Sequence, residues 1–116
     1  MRSYTLAIGG EVNTGKENVE WELVLENINK LTKQQNKIDY LILSPSLSAS
    51  SDKCLYIKLM YAQSSGKFIV EAAFDYTRYI YKTANAYEVQ NIMQDYMLKS
   101  REPDVDVWGW ECEDNY

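Results

Sequence analysis

The sequence predicts a single α+β domain over residues 1–116, in which a mainly antiparallel sheet of five to six strands carries two helices on one face. Its predicted elements follow the order β, α, β, β, β, β, α, β, so most strands are grouped between two helices. A parallel sheet would need a helical crossover between most of its strands, and this order therefore favours antiparallel pairing. With 46% apolar and 25% charged residues, the chain has the composition of an ordinary globular domain.

The first part of the chain predicts a strand followed by a helix. Residues 4–8 alternate weakly between polar and apolar side chains and stop at a pair of glycines, as a strand that ends in a turn would. Thr14 precedes Glu17 by three positions, and this capping-box pattern predicts a helix over about residues 16–33. The i, i+4, i+7 spacing predicts its buried stripe, which consists of Trp21, Leu25, Ile28 and Leu31.

The middle of the chain predicts one deeply buried strand and then a three-stranded meander. Residues 38–43 are apolar almost throughout and predict a strand that is buried on both faces. A Ser-rich loop over residues 47–52 leads to two alternating segments, 54–61 and 67–74, which predict a hairpin about a turn that contains glycine. Residues 76–82 are rich in Tyr and β-branched side chains and predict the third strand.

A second helix and a short last strand complete the predicted fold. Asn85 precedes Glu88 by three positions in a second capping pattern, and the helix that it opens ends before Pro103. Five apolar residues at helical spacing form the predicted buried stripe: Val89, Ile92, Met93, Tyr96 and Met97. Residues 104–111 then alternate as a short terminal strand would.

The charge of the chain excludes some classes of partner and favours another. Twelve basic residues against seventeen acidic ones give a net charge of −5. A field of that sign repels nucleic acid and anionic lipid and accelerates encounter with a basic protein. No apolar run approaches the roughly 20 residues of a membrane-crossing helix, and the first residues do not form a secretory signal, so we expect a cytoplasmic protein.

The sequence offers little catalytic chemistry. It contains no histidine, the residue most often used for proton transfer near neutral pH, and no phosphate-binding glycine motif. Cys54 and Cys112 lie far apart and predict two reduced thiols, with Cys54 buried in a strand, rather than a disulfide or a zinc site. We therefore expect a protein that is not an enzyme and needs no cofactor.

A carboxylate site near the end of the chain is the one metal hypothesis that the sequence raises. Alternation would place Asp104 and Asp106 on the same side of a strand, where Glu111 would help them to hold Mg²⁺ or Ca²⁺. Such a site needs at least about six oxygens, and the segment has no kinked loop to supply them. We therefore interpret these residues as a solvated acidic edge and predict no metal.

Aromatic residues are the most unusual feature of the composition. The chain has ten Tyr and three Trp but only two Phe, and Tyr and Trp combine an apolar body with a polar group as contact surfaces require. Trp21 is assigned to the core by its helical spacing. Two interpretations stay open for the tyrosines of the predicted third strand: they coat a twisted sheet, or they form a contact surface made of Tyr76, Tyr79 and Tyr81.

Two tryptophans near the end of the chain raise a similar choice. In an extended segment Trp108 and Trp110 would share one face, which either packs against a helix or forms an exposed binding edge. An exposed edge of aromatic anchors with surrounding acidic groups would suit a basic pocket on a partner protein. The acidic candidates for that contact are Asp104, Asp106, Glu111, Glu113 and Asp114.

The layout of the chain resembles a known group of bacterial proteins. An amphipathic helix with Glu20-Trp21, an aromatic-rich meander, a short second helix and a terminal Pro103 followed by Trp110-Glu111 are similar to the small immunity proteins of polymorphic toxin systems, closest to the Imm1 type. The resemblance implies a stoichiometric inhibitor of a toxin, often a nuclease or a nucleic-acid deaminase, that is made in the same cell. The acidic charge fits such a role independently, because these toxins need basic surfaces to hold their substrates.

Two other functions stay open at this level. A small-molecule or peptide-binding module would hold its ligand between sheet and helices among the tyrosines, and it predicts a partly apolar pocket of several hundred cubic ångströms. An enzyme that uses carboxylates alone is a third hypothesis. The sequence also leaves open whether the chain forms a homodimer.

Overall fold

The computed structural model of the protein describes residues 2–10, 14–33, 38–47, 52–75 and 77–114. Two helices are present in these ranges, α1 (Trp21–Thr32) and α2 (Ala86–Leu98). The strands are β1 (Tyr4–Gly10), β2 (Thr14–Lys16), β3 (Ile38–Pro45), β4 (Tyr56–Ala62), β5 (Lys67–Ala73), β6 (Thr77–Thr83) and β7 (Glu111–Asp114). All seven belong to one sheet in the order β2-β1-β3-β4-β5-β6-β7, and every neighbouring pair is antiparallel.

The α+β class and the antiparallel sheet are confirmed, and the strand count is slightly higher than the predicted five to six. Helix α1 packs on β3 and β4, α2 packs on β5 and β6, and the two helices contact each other. Leu43, Ile57 and Ala72 are neighbours across three strands and are all fully buried beneath these helices. In the described residues, no helix is long and apolar enough to cross a membrane.

The additional strand lies where the sequence predicted the start of the first helix. Thr14 pairs with Ile8 and Lys16 with Leu6, so residues 14–16 extend the sheet beside β1. The chain continues beside β1 past Asn18, whose φ of 54° is in the left-handed region that Asn tolerates better than most residues, and the Val19 N–H donates to the Tyr4 carbonyl at 3.1 Å. The capping-box prediction was therefore wrong, because pairing with β1 satisfies this backbone instead, and α1 begins at Trp21.

The buried face of α1 is rotated slightly from the predicted stripe. Val24, Ile28 and Leu31 are fully buried, whereas Trp21 and Leu25 are half-buried. Trp21 still packs against the core, so its predicted place is confirmed in part.

Strand β3 differs from its prediction in one respect. Leu41 and Leu43 are fully buried, but Tyr40 and Ile42 on the opposite face are half-exposed. The prediction of burial on both faces was wrong, because both helices lie on the same side of the sheet. The hairpin of β4 and β5 and the third strand β6 are confirmed, with bounds that differ from the prediction by one or two residues at most ends.

Cys54 and Cys112 are both free thiols. Cys54 is buried as predicted, although it lies just before β4 rather than within a strand, and Cys112 is exposed on β7. Above Cys54 the Tyr4 and Tyr96 rings meet edge-on with their centroids 5.7 Å apart. The predicted buried stripe of α2 is therefore confirmed at Tyr96, which joins the helix to β1, whereas Ile92 of the same stripe is only half-buried.

Candidate partner-binding site

The chain between α2 and β7 is irregular and turns over residues 105–109, so the strand predicted over residues 104–111 was wrong. The Asp104 carboxylate accepts a hydrogen bond from the Asp106 backbone N–H (3.2 Å), and the Asp104 carbonyl accepts one from the Val107 N–H (3.3 Å). Asp side chains stabilise turns in this way at the expense of extended structure. The last strand therefore begins only at Glu111, where β7 pairs with β6 along the edge of the sheet.

Gly109 determines how the two tryptophans are presented. Its φ of 105° lies in a region that residues with a side chain rarely adopt. A Cβ at this position would lie 2.7 Å from the Cε1 atom of Tyr81, so the glycine also allows the backbone to approach that ring. The turn separates Trp108 from Trp110, and the expectation that they share one face was wrong: Trp108 is 95% exposed, whereas Trp110 is partly buried against the core.

Trp110 is held by an aromatic stack and a hydrogen bond beneath it. Its ring lies on the ring of Tyr81 with centroids 5.3 Å apart and an interplanar angle of 28°. The Tyr81 hydroxyl donates to Oε2 of Glu88 at 2.7 Å. Tyr81 belongs to β6 and Glu88 to the first turn of α2, so these contacts join residues 104–110, which we call the tail, to both layers of the fold.

Glu88 does not complete the capping box that the sequence predicted. The Asn85 side chain caps α2 by accepting from the Tyr87 N–H (2.9 Å), which confirms the predicted helix start. The Asn85 N–H, which Glu88 would bind in a capping box, donates instead to the Thr83 hydroxyl (3.0 Å). The Thr83 hydroxyl in turn donates to Oε1 of Glu88 at 2.5 Å. The Glu88 side chain is therefore not used as a helix cap, and it lines a cleft together with Trp108 and Trp110.

The charges of this region are those of an acidic surface. Hydrogen bonds from Thr83 and then from Tyr81 lower the pKa of Glu88, so its carboxylate is ionised at neutral pH. The hydrogen bond to Glu88 raises the pKa of Tyr81. Asp106 and Glu111 are exposed on either side of the tryptophans, and in the described part of the chain neither forms an ion pair.

We call Tyr81, Glu88, Val107, Trp108 and Trp110 the tryptophan ledge. Two clefts border it and share Tyr81, Val107 and both tryptophans. One has a volume of about 620 Å³ and reaches Ile80 and Lys82 of β6. The other has a volume of about 270 Å³ and lies against Glu88, Asn91 and Ile92 of α2.

The structure brings together only part of the predicted contact set. Tyr81, Asp106, Trp108, Trp110 and Glu111 lie at the tryptophan ledge or border its clefts. The remaining candidates with described side chains lie outside it: Tyr79, Asp104 and Glu113. Tyr76 lies outside the described residues, and Asp114 is described only by its backbone pairing with Thr77.

Tyr79 packs edge-on against Phe74, with ring centroids 5.6 Å apart, and is half-buried. For this residue the structure favours the interpretation of a tyrosine that coats the sheet. Glu113 is exposed on β7 opposite Arg78.

Sequence reasoning missed three residues of this region: Glu88, Gly109 and Val107. Glu88 was assigned to a helix cap, which accounted for its position without pointing to a site. A glycine between two tryptophans is the signal that was available, because glycine at such a place indicates a turn or a close backbone approach. Val107 is 55% exposed and carried no distinctive pattern.

A second cleft region lies where β1 meets the C-terminal end of α2. We call Arg2, Tyr4, Asp52, Cys54, Tyr96 and Glu102 the Arg2–Glu102 corner; all but Cys54 line a cleft of about 410 Å³. The Arg2 guanidinium donates to both oxygens of Asp52, at 2.8 and 2.6 Å, and to the Leu47 carbonyl at 3.0 Å. Oε2 of Glu102 accepts from the backbone N–H groups of Lys53 and Cys54, at 2.8 and 2.6 Å. These hydrogen bonds join the segment around residues 52–54 to Arg2 on one side and to Glu102 on the other.

Comparisons with models of known protein families, with curated proteins and with solved structures give no match for this chain. The resemblance to immunity proteins therefore rests on the residues that suggested it. Of these, Trp21 lies against the core, while Trp110 and Glu111 border the exposed clefts.

Proposed function

We propose that the protein is a non-catalytic binding protein of the immunity type, which binds and neutralises a cognate toxin of the nuclease or deaminase kind in the bacterial cytoplasm. The tryptophan ledge is the contact surface in this proposal. The observation that carries the proposal is the exposure of Trp108. Its side chain is 95% exposed, on a turn that the stacked ring of Trp110 anchors. Tryptophan is highly buried on average and is the residue type most enriched among interface hot spots, so an indole held in solvent favours a binding role.

The anchoring of the ledge supports this role energetically. Association costs free energy for every side chain and loop that must become ordered. Here the stack of Trp110 on Tyr81 and the hydrogen bond from Tyr81 to Glu88 hold the turn before any partner arrives. A preorganised turn leaves more of the contact energy of Trp108 available as affinity.

The charge around the ledge supports a basic partner. Three acidic residues, Glu88, Asp106 and Glu111, line the clefts at the two tryptophans against one basic residue, Lys82, and the whole chain carries a net charge of −5. Toxins that act on nucleic acids need basic surfaces to hold their substrates, so the charges of the two proteins would be complementary. Such complementarity accelerates association and excludes partners of like charge.

The groups with the most strongly raised pKa support a non-catalytic role. Burial and the nearby Glu102 raise the pKa of the Cys54 thiol to about 12, and burial raises the pKa of Tyr96. A buried thiol of this kind is unreactive. The Tyr96 hydroxyl donates a hydrogen bond to the Cys54 carbonyl at 3.0 Å, which is a structural role.

The smaller of the two ledge clefts favours a protein side chain over a small molecule, whereas the larger, of about 620 Å³, is within the size range of small-molecule sites. The cleft that touches both α2 and the sheet has a volume of about 270 Å³. Small-molecule sites usually occupy about 300–1,000 Å³, so this cleft suits a single side chain better than a whole ligand.

A capture experiment in the native host tests the proposal. We expect the tagged protein to retain a basic protein with a nucleic-acid-directed toxin domain, and Trp108→Ala to weaken that complex by about thirtyfold or more. Leu47→Ala is the matched control, because Leu47 is an equally isolated apolar side chain, 85% exposed, beyond the end of β3. Capture of no protein, or equal binding by the Trp108→Ala variant, would contradict the proposal.

A further inference from the structure

The smaller cleft of the tryptophan ledge has an unusual combination of walls. Its volume is about 270 Å³, and Trp108, Trp110 and Tyr81 contribute aromatic surface to it. Glu88 contributes an ionised carboxylate, and Asn91 adds an amide from the next turn of α2. Aromatic surface beside a carboxylate is suited to a cation, and a charged, polar ligand of this size is a side chain rather than a drug-sized molecule.

Glu88 has acceptor capacity left for such a cation. A carboxylate offers about four lone-pair sites, and the hydroxyls of Tyr81 and Thr83 occupy two of them. Both of these donors are neutral, and within the described ranges Glu88 forms no ion pair with Lys or Arg. The negative charge at the cleft is thus fixed in position but not neutralised by the chain itself.

The aromatic walls distinguish between the two kinds of basic side chain. Guanidinium is planar and weakly hydrated, stacks on aromatic faces and donates to carboxylates through a fixed fork, whereas ammonium is compact and strongly hydrated. Trp108 offers an indole that is 95% exposed, and tryptophan gives the strongest cation–π interaction of the aromatic residues. An arginine side chain can stack on the indole and donate hydrogen bonds to the carboxylate at the same time.

We propose that the cleft between Trp108 and Glu88 is a subsite for one arginine side chain of a basic partner protein. The guanidinium stacks on an indole of the ledge and donates to the Glu88 carboxylate. The identity of the partner as a toxin rests on the function proposed above, but the preference for arginine depends only on the cleft. The two can therefore be tested separately.

The test uses Nα-acetyl-arginine amide as the probe and follows the indole N–H signals of the protein by NMR, a method that detects weak binding of a single side chain. We expect the probe to shift the signals of Trp108 and Trp110 but not that of Trp21, which packs against the core. The corresponding lysine amide should bind several-fold more weakly, and the uncharged citrulline amide should give no saturable shift. Equal behaviour of the three probes would overturn the proposal.

Two variants locate the binding energy. Glu88→Gln should weaken arginine binding by about fivefold to tenfold, because a charge-assisted hydrogen bond is replaced by a neutral one. Glu113→Gln is the matched control, since it removes the same charge from an exposed position outside the cleft and should leave the titration unchanged. Equal losses in both variants would mean that net charge alone attracts the probe and would overturn the subsite.

Trp108→Ala provides a second variant that does not depend on the packing of Glu88, since the Trp108 side chain is almost fully exposed. It should abolish the saturable shift of the Trp110 signal, and an unchanged titration would overturn the proposal. Arginine binding without any captured toxin would leave the subsite standing and remove the proposed function. If a toxin is captured and its complex is weakened equally by Glu88→Gln and Glu113→Gln, the proposed function stands and the arginine subsite is overturned.

Discussion

The Arg2–Glu102 corner and the tryptophan ledge are built from the same kinds of group and differ in what they leave exposed. In each, a carboxylate accepts two hydrogen bonds: Glu102 from two backbone N–H groups in the chain before β4, and Glu88 from two hydroxyls of β6. The corner has its own cation, because Arg2 pairs with Asp52. At the ledge Lys82 borders the larger cleft, but Glu88 forms no ion pair within the described residues, and the outermost aromatic ring lies in solvent.

This difference separates stability from binding. At the corner Tyr4 and Tyr96 are 2% and 3% exposed, so their contact energy contributes to folding. At the ledge the packing of Trp110 contributes to the stability of the fold, whereas the exposed Trp108 side chain contributes little to it. A surface whose charge and aromatic area are both unsatisfied in the free chain is where a partner gains most.

The two cysteines provide the largest expected difference between the regions. Burial raises the pKa of Cys54, in the corner, from its ordinary value of 9.0 to about 12, whereas Cys112 is exposed on β7 beside the ledge. Because the thiolate is the reactive form, Cys54 should react about a thousandfold more slowly than an ordinary thiol at pH 8. Alkylation followed by mass spectrometry should give one fast modification at Cys112. Comparable rates at both sites would contradict the burial of the Cys54 thiol in the corner.

Removal of the central tyrosine of the corner should cause the largest loss of stability. Tyr96→Ala deletes a buried ring, its edge-on contact with Tyr4 and the hydrogen bond to the Cys54 carbonyl. We expect the free energy of unfolding in urea to fall by about 3–5 kcal/mol, as for other buried aromatic residues changed to alanine. Tyr87→Ala is the control, because the same substitution on the same helix removes a ring that is 76% exposed. Similar losses in both would show that the corner is not a centre of stability.

A methyl group at Gly109 should disturb the ledge and leave the corner intact. Gly109→Ala places a Cβ 2.7 Å from the Tyr81 ring at a φ of 105°, so either the turn or the ring must move. We expect a loss of about 1–3 kcal/mol in unfolding free energy and a changed fluorescence of Trp110. Gly15→Ala is the control, since no atom lies within 4 Å of its added Cβ. An unchanged Trp110 environment in the Gly109 variant would show that the close approach does not fix the ledge.

The sequence predicted those parts of the fold that depend on regular periodicity. The alternation of β4 and the stripe of α2, apart from the half-buried Ile92, survive in the structure, because each is set by burial against one face of the sheet. The alternation of β5 is kept only in its first half, since residues 70–73 are all buried. Strand β2 was missed, because three residues carry too little pattern to compete with a capping motif, and their conformation depends on pairing with β1, a contact that local sequence does not reveal.

The site was predicted less well than the fold, and the reason lies in side-chain hydrogen bonds. Residues 104–110 alternate in sequence, but the Asp104 carboxylate stabilises a turn and Gly109 adopts a left-handed φ, so the tail cannot extend. The composition pointed to Trp108 and Trp110. That Trp110 is partly buried while Trp108 is exposed depends on the Tyr81 ring, which comes from strand β6. Glu88 could be recognised only once the Thr83 hydroxyl was seen to accept from the Asn85 N–H, which Glu88 would do in a capping box.

The smallest expected effect is a pH dependence that belongs to the ledge. Hydrogen bonds from Thr83 and Tyr81 lower the pKa of Glu88 below its ordinary value of 4.5 in the folded protein. The unfolded chain therefore binds the proton more readily, so the stabilising contribution of Glu88 is complete above pH 4.5 and is lost as the pH falls through its folded pKa. The effect is small because Glu88 is only half-buried and is screened by solvent.

Urea unfolding of the wild type and of Glu88→Gln between pH 7 and pH 3 measures this contribution. The stability difference between the two should be constant near neutral pH and should shrink below about pH 4.5, because protonated Glu88 and the glutamine that replaces it are both uncharged. A difference that stays constant down to pH 3 would mean that the ionised form of Glu88 gains nothing from its hydroxyl donors. In that case the carboxylate would not be held in place for an incoming cation, and the ledge would bind through its aromatic surface alone.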